Sequence, residues 1–165
     1  MRVLGIDASL RSTGYGIVES RSGRLAAGER GIVRNAGSLA HSACLLRIRR
    51  EIVAVLARAR PDVAALEGGF HFRNARTALV LGEVRGVVIA ACAEAGVAVY
   101  EYAPRHIKQS LTGFGAADKS QVSKMAMSVL GLDEKPPEDA ADALATAICH
   151  HQSHSGIAAL RPKPI

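Results

Sequence analysis

Aromatic side chains, cysteines and long apolar runs are all scarce in this sequence. Tryptophan is absent, aromatic residues make up 4% of the chain, and the three cysteines form no C-x-x-C pair. The longest apolar stretch, Val87–Ala93, is far shorter than the ~20 residues of a membrane-spanning helix. Asp7 follows the first apolar residues too closely for a signal peptide. These absences predict a cytoplasmic protein with reduced core thiols and no membrane partner.

Positive charge, by contrast, is abundant. The 165 residues include 21 lysines and arginines against 15 aspartates and glutamates, which gives a net charge of +6. Nine of the arginines fall within residues 20–60, where the acids are Glu29 and Glu51. This excess favours a polyanionic partner such as a nucleic acid, although a solvated basic helix face would produce the same pattern.

The order of apolar runs and turn residues predicts one α/β domain. Three short strands with glycine-containing turns come first and suggest an antiparallel meander. Later strands near residues 63–66 and 97–102 are separated by helical patterns, so they should pair in parallel. We therefore predict a five-stranded mixed sheet with helices on both faces over residues 1–153, followed by a disordered tail over residues 154–165.

One predicted helix, from Asn74 or Arg76 to Ala95, carries apolar residues on nearly every side. Glu83 and Arg85 within it exclude a lipid environment. A helix that is apolar all round is covered on more than one side, so we expect it to pack on the sheet and on a second subunit. The pattern therefore predicts a homodimer.

Two aspartates begin the last predicted helix, in the segment Pro137–Ala145. Asp139 and Asp142 are three residues apart and project from one helix face, where helix-dipole stabilisation is an alternative reason for an acid. Asp7 and Glu67 each follow a predicted buried strand. Because sites in open α/β sheets form beyond the carboxyl ends of the strands, these four acids can meet if the last helix crosses the same edge.

Four neighbouring carboxylates cannot all stay ionised unless cations neutralise them. Hard cations such as Mg²⁺ and Mn²⁺ prefer oxygen ligands. Two such ions about 4 Å apart can clamp the attacking and leaving oxygens of a phosphodiester. The acids therefore predict a site for two Mg²⁺ ions, with Mn²⁺ as a substitute, that hydrolyses phosphodiesters.

Basic residues near the same edge are candidates for DNA contacts. Lys108 and Lys119 lie in predicted loop–helix segments after the fifth strand, where they can neutralise phosphates. Arg73, in the loop after the fourth strand, and Arg76, at the start of the next predicted helix, are further candidates. The alternative for Lys108 and Lys119 is solvent exposure without a ligand.

All three phenylalanines fall in glycine-flanked loops rather than in core elements. Phe70 and Phe72 come just after Glu67, where they could stack on bases or wedge between them. Phe114 lies in a second loop of this kind. Loop phenylalanines also fold back onto their own domain, so this pattern alone leaves both interpretations open.

The histidines near the C-terminus, His150, His151 and His154, could be mistaken for a metal cluster. No cysteine or acid lies at a fitting spacing, so we interpret them as helix-end residues. The last helix is expected to fray after His151.

In the order and spacing of these residues the sequence resembles the RuvC family of Holliday-junction resolvases, which has an RNase H-like (retroviral-integrase) fold. The resemblance extends from Gly5 to His151, and no single motif carries it. The matching segments are Gly5-Ile6-Asp7 with Thr13–Gly16, Glu67 with Phe70 and Arg73-Asn74, Leu81–Gly86, Glu101–Arg105, Lys108-Gln109, Lys119–Val122 and Asp139–Leu144.

The resemblance implies a metal-dependent endonuclease for four-way junctions in DNA recombination and repair. It implies symmetric nicking of two strands of like polarity by a homodimer that works with the RuvA–RuvB branch-migration complex. It also implies that Phe70 opens base pairs and that Lys108 and Lys119 act in junction binding and cleavage. The implied catalytic and metal-binding acids are Asp7, Glu67, Asp139 and Asp142.

The sequence departs from the family pattern in two places. Ala8-Ser9 stands where the family usually has proline and glycine, and Gly68-Gly69 stands after the strand-end glutamate, where glutamine is usual. These departures concern loop stiffness and base preference near Phe70. Two other functions are open: a non-catalytic junction-binding module, and an actin-like or sugar-kinase-type ATPase suggested by Asp7–Gly16, although one domain gives only one of the two lobes that enclose ATP.

Overall fold

The computed structural model describes residues 1–68, 74–155 and 162–165. Its strands are β1 (Arg2–Asp7), β2 (Ser12–Arg21), β3 (Arg24–Arg34), β4 (Val63–Glu67) and β5 (Ala98–Tyr102). Its helices are α1 (His41–Ala59), α2 (Ala75–Glu94), α3 (Pro104–Thr112), α4 (Lys119–Leu130) and α5 (Glu138–Ser155). The sheet order is β3-β2-β1-β4-β5, with the first two pairings antiparallel and the last two parallel. The predicted mixed sheet that begins with a meander is confirmed.

Side chains alternate between two faces of this sheet, and each face is covered by its own helices. Val3, Val18 and Ala65 pack with residues of α3, α4 and α5, on what we call the α5 face. Leu4 and Ile6 pack on the opposite face with residues of α1 and α2. Because successive strand residues point to opposite faces, the acids that end β1 and β4 share the α5 face with Val3 and Ala65. The three cysteines are free and buried, as expected of core thiols.

Glycines on the α5 face let the backbone of α5 lie directly against the sheet. A β-carbon on Gly14 would lie 2.0 Å from the backbone oxygen of Asp139, and one on Gly5 would lie 1.9 Å from that of Ala143. A β-carbon on Gly16 would also collide with an α5 side chain. No other residue type fits these positions unless the helix moves, so the glycines fix the height of α5 above β1 and β2.

The last helix is longer and more deeply buried than the sequence pattern predicts. It continues to Ser155, so the predicted fraying after His151 is wrong, whereas the boundary of the predicted tail stays a prediction. Its outer side is covered by α3 and α4, which accounts for the burial of its C-terminal half. The backbone N–H of Ile165 donates to the backbone oxygen of Val99 at 2.9 Å, so the final residue lies against β5.

The three histidines lie near the end of α5, with His154 in its last turn as predicted, but His150 and His151 are buried in the interior. His150 is fully buried, and its Nδ1 lies 2.9 Å from the hydroxyl of Tyr102. His151 Nε2 lies 3.1 Å from the backbone oxygen of Val18, and His154 stacks on His150 with a centroid separation of 3.9 Å. Burial lowers the pKa of His150 to about 3, so this ring is neutral near pH 7.

Helix α2 has one buried side and one exposed apolar side. Val84 and Val88 are buried against the core that α1 shares. Leu79 is 70% exposed and lies with Ala78 and Gly82 around a shallow depression. The predicted contact of this helix with its own domain is therefore confirmed, and its second apolar side is open within the described chain. Among the described residues, no helix is long and apolar enough to cross a membrane.

Replacing Gly14 with alanine tests the contact between α5 and the sheet. The new methyl group would overlap the backbone at Asp139, so α5 has to move outward. We expect a loss of about 3 kcal/mol in the free energy of unfolding, as for an overpacked core. Urea denaturation would measure it. Gly37→Ala, whose β-carbon meets nothing within 4 Å, is the control and should change stability by less than about 0.5 kcal/mol. Equal effects of the two substitutions would contradict the contact.

Candidate active site

A cleft of about 810 Å³ opens at the carboxyl ends of β1 and β4. These strands are parallel neighbours, so the acids that end them arrive at the same edge of the sheet. A third acid comes from the first turns of α5, and two lysines come from α3 and α4. Five of the residues predicted from the sequence thus line one cleft: Asp7, Glu67, Asp142, Lys108 and Lys119.

Glu67 is supported by an arginine to which the sequence alone gave no individual role. Arg85 Nη1 donates to the backbone oxygen of Glu67 at 2.6 Å, and its Nη2 contacts Glu101 Oε2 at 2.7 Å. The side chains of Arg85 and Glu101 are only 17% and 26% exposed, so solvent screens this ion pair less than a surface pair. Arg85 therefore fixes the end of β4. The feature of the sequence that could have indicated this role is a lone arginine within an apolar stretch.

The two aspartates of α5 project into the same region, as their spacing predicts. Asp142 Oδ2 accepts a hydrogen bond from Lys119 Nζ at 3.1 Å, and the same ammonium lies 2.9 Å from Glu138 Oε1. Asp139 accepts a hydrogen bond from the hydroxyl of Ser12. Sequence reasoning missed Ser12, because its contact exists only when β2 lies beneath α5. Lys119 of α4 thus holds the carboxylate of Asp142, and Ser12 of β2 holds that of Asp139.

The pKa values of the strand acids reflect how closely the carboxylates are grouped. Burial, and then the charges of Glu67, Asp142 and Asp139, raise the pKa of Asp7 from 3.8 to about 7. Burial followed by the charge of Asp142 raises the pKa of Glu67, and the charge of Lys119 opposes this shift. Carboxylates that repel one another in a half-buried site are stabilised by any cation that binds between them.

The donor set fits a hard divalent cation. Carboxylate oxygens are the ligands that Mg²⁺ and Mn²⁺ prefer, and a bound cation would relieve the repulsion that raises the pKa values of Asp7 and Glu67. In the described parts of the chain, no three metal-ligating side chains are close enough to share one ion as they stand. Asp142 is turned towards Lys119, whose ammonium donates to its Oδ2 at 3.1 Å.

The other predicted DNA contacts lie away from this cleft or outside the described residues. Phe70, Phe72 and Arg73 fall in the second category, and their contacts stay predictions. Arg76 is exposed in the first turn of α2 and does not line the cleft. The side chain of Phe114 is 63% exposed, so this loop aromatic does not fold back into the core.

The sheet order, together with the acids at the carboxyl ends of the inner strands β1 and β4, defines the class of protein as RNase H-like. Structural comparison agrees with this class. The yeast mitochondrial Holliday junction resolvase superposes with a TM-score of 0.66 over 91% of this chain and 77% of that chain, at 11% sequence identity. At so low an identity the likeness concerns the fold alone.

The family follows from comparisons at higher identity. The family model of the crossover junction endodeoxyribonuclease RuvC matches residues 3–150. The RuvC of Caldicellulosiruptor saccharolyticus is 45% identical over 159 residues, 95% of this chain and 96% of that protein. The RuvC of Myxococcus xanthus is 44% identical over 152 residues, 91% and 80% of the two chains. T. thermophilus RuvC in complex with Holliday junction substrate is 34% identical with a TM-score of 0.92, covering 100% of this chain and 99% of that one.

This chain belongs to the RuvC family of crossover junction endodeoxyribonucleases. The resemblance inferred from the sequence motifs is thereby confirmed. Neither of the two alternatives, the ATPase and the non-catalytic junction-binding module, is supported by these comparisons.

The raised pKa of Asp7 predicts how stability depends on pH. An acid whose folded-state pKa is raised holds its proton more tightly when folded, so its ionisation destabilises the fold as pH rises from about 4 through 7. In EDTA, Asp7→Asn should therefore gain stability relative to the wild type between pH 5 and pH 8, by up to a few kcal/mol at ~1.4 kcal/mol per pKa unit.

Urea denaturation at several pH values would measure this difference. Mg²⁺ should stabilise the wild type more than the variant, because a bound cation neutralises ionised acids and the variant has one acid fewer. A stability difference that is constant across this pH range would contradict the grouping of the four acids.

Proposed function

We propose that this chain resolves Holliday junctions as a metal-dependent, structure-selective endonuclease that nicks two strands of like polarity symmetrically. The observation that carries the proposal is the single cleft in which Asp7, Glu67 and Asp142 lie with Lys108 and Lys119. Acids that can hold cations, next to lysines that can bind phosphates, suit a phosphodiester substrate. The relative solved in complex with a Holliday junction substrate supports the same substrate here, in recombination and repair.

RuvC nucleases depend on metal ions, and we assign the ions of this chain to four acids: Asp7, Glu67, Asp139 and Asp142. Mg²⁺ is the expected ion, with two per site and Mn²⁺ as a substitute, because hard oxygen donors favour both. When bound, such ions activate the attacking water and stabilise the leaving oxygen. The protein's own part is to hold the acids in place, through Arg85 behind Glu67 and Ser12 beside Asp139.

Lys119 is placed so that the partner of its ammonium can change from a carboxylate of the chain to a phosphate of the substrate. Its ammonium is held by Glu138 at 2.9 Å and by Asp142 at 3.1 Å. If Asp142 held a cation, the ammonium would be free to contact a phosphate oxygen near the cleaved bond. Lys108 is half-buried on the wall of the same cleft and supplies a second positive charge.

The loop after β4 is proposed to act on the bases near the cleaved phosphate. Phe70 follows Glu67 by three residues, so it can reach bases beside a phosphate held at that acid and open their pairing. Phe72, Arg73 and Arg76 follow in the same segment and are proposed as further DNA contacts, the arginines to phosphates and the phenylalanine by stacking.

The working unit is proposed to be a homodimer joined through α2. This helix exposes apolar residues around Leu79 on the side turned away from its own core, and Leu79 is 70% exposed. A twofold dimer also suits a substrate with approximate twofold symmetry. The RuvA–RuvB branch-migration complex is the proposed partner, which rests on family membership alone.

Asp7→Asn tests the assignment of the chemistry. The variant should cut a synthetic four-way junction in Mg²⁺ at least 10³-fold more slowly (roughly, for loss of a metal ligand) and still bind it. Gel analysis of paired nicks and a binding titration would measure the two properties. The wild type should leave a linear duplex of the same sequence uncut. Asp133→Asn, which changes an exposed aspartate outside the cleft, is the matched control and should cut normally. Loss of binding in Asp7→Asn would instead give Asp7 a structural role.

Leu79→Asp tests the dimer. A charge within an apolar contact should turn the protein into a monomer at micromolar concentration, because the aspartate would lose its hydration on association. Sedimentation velocity would measure this, and paired nicks in one junction should become independent single nicks. Met125→Asp, an exposed apolar residue of α4 on the opposite face of the sheet, is the control and should remain dimeric. Leu79→Asp that remains a dimer would exclude this surface.

A further inference from the structure

Two arginines of the edge strand β3 lie on the same face of the sheet as the acids. Arg34 is paired with Ser12, whose hydroxyl contacts Asp139 on α5, and Arg30 is paired with Gly16, which faces α5. Residues directly opposite each other in an antiparallel pair point to the same face. Arg30 and Arg34 therefore belong to the α5 face, although they occupy the edge strand β3, at the opposite edge of the sheet from β5.

The strand register also fixes their distance from the site. Asp7 pairs with Gly14, and Gly14 pairs with Ile32 on β3. With neighbouring strands about 4.8 Å apart, the backbone of Ile32 is roughly 10 Å from that of Asp7. Arg34 is two residues further along in the direction of the cleft end of β2. A long side chain at this position is within reach of a DNA strand that enters the site.

These arginines differ from most others in their charge environment. The arginines of this basic region that point elsewhere include Arg21, Arg49 and Arg58, and each of these is paired with a glutamate of the chain. Arg30 and Arg34 are exposed, and within the described residues no carboxylate lies within 4.0 Å of either guanidinium. Across the described ranges, these two positive charges therefore have no carboxylate partner on the face where an anionic substrate would lie.

We propose that Arg30 and Arg34 form a second phosphate-binding surface, which holds the backbone of the cut DNA strand on the side of the acids opposite to Lys108. This inference rests on the proposed nuclease function and adds a binding site to it. In sheet order, Asp7 on β1 lies between β3, which carries the two arginines, and β4, whose Glu67 shares the cleft with Lys108. A DNA strand held at both ends would present one phosphate to the acids.

Charged residues on an edge strand have another common purpose, since they prevent strands of different molecules from pairing. That purpose requires charge anywhere along the exposed edge. Arg24 is exposed on the same strand at the opposite end, ten residues or roughly 33 Å from Arg34 at ~3.3 Å per residue. It would protect the edge equally well and lies far from the acids, so Arg24→Gln is the matched control.

The test is a binding titration of four-way junction DNA at several salt concentrations, with Asp7→Asn as the background so that no cutting occurs. Adding Arg34→Gln or Arg30→Gln should weaken binding roughly fivefold each, as for a lost charge-assisted contact. Each should also lower the slope of log K against log salt by about one. Arg24→Gln should leave affinity and slope unchanged. Equal effects at all three positions, or none at Arg30 and Arg34, would overturn the proposal.

A second measurement locates the contact on the DNA. Replacing single phosphates near the cleavage point with uncharged methylphosphonates should weaken binding at one or two positions on one side of that point, and Arg34→Gln should be insensitive to the same replacements. Insensitivity of the wild type at every flanking position would contradict the contact. Wild-type protein that cuts junctions while these arginine variants behave normally would overturn this inference alone, whereas wild-type protein that cuts no junction would overturn the proposed function.

Discussion

The direct contact between α5 and the glycines of β1 and β2 is the constraint on which the site depends. Gly14 pairs with Asp7 in the sheet and lies beneath Asp139 of the helix. A side chain at Gly14 would separate the two acids, because the helix could no longer rest on the strand. Ordinary helix–sheet packing keeps backbones well apart, since side chains fill the space between them. Here the absence of side chains on one element brings the carboxylates of two elements together.

Because the acids lie close together, their negative charges repel one another, and other residues of the site offset part of this repulsion. Burial and neighbouring acids raise the pKa of Asp7 to about 7, so full ionisation of the grouped acids is unfavourable near neutral pH. Lys119 offsets part of this repulsion by bonding Asp142. Under the proposed metal assignment, Lys119 would release Asp142 as a cation bound, so metal binding would make a phosphate-binding group available. One pair of side chains would thus serve the protein with and without bound metal.

The sequence was sufficient to predict the sheet, its helices and most of the cleft. Asp7 and Glu67 could be found because a strand end is a local feature, and its chemistry follows from topology. Ser12 and Arg34 could not be found, since their importance depends on the register between β2 and β3 and on what lies above that register. The burial of His150 could not be predicted for a related reason: it is set by how α3 and α4 cover α5, and no local pattern contains that information.

The two faces of the sheet carry different parts of the proposed junction nuclease. The α5 face carries the acids and the exposed Arg30 and Arg34 of β3, while the opposite face carries α2, which also contributes Leu81 and Arg85 to the cleft. In the proposed dimer, two subunits that meet through α2 would lie on the face opposite Arg30, Arg34 and the acids, with Arg76 of the first turn of α2 beside the contact. A twofold axis would then relate two equivalent acid clusters, one for each of two equivalent strands. Symmetric cutting by such a dimer would need no signal between subunits beyond the geometry of the dimer itself.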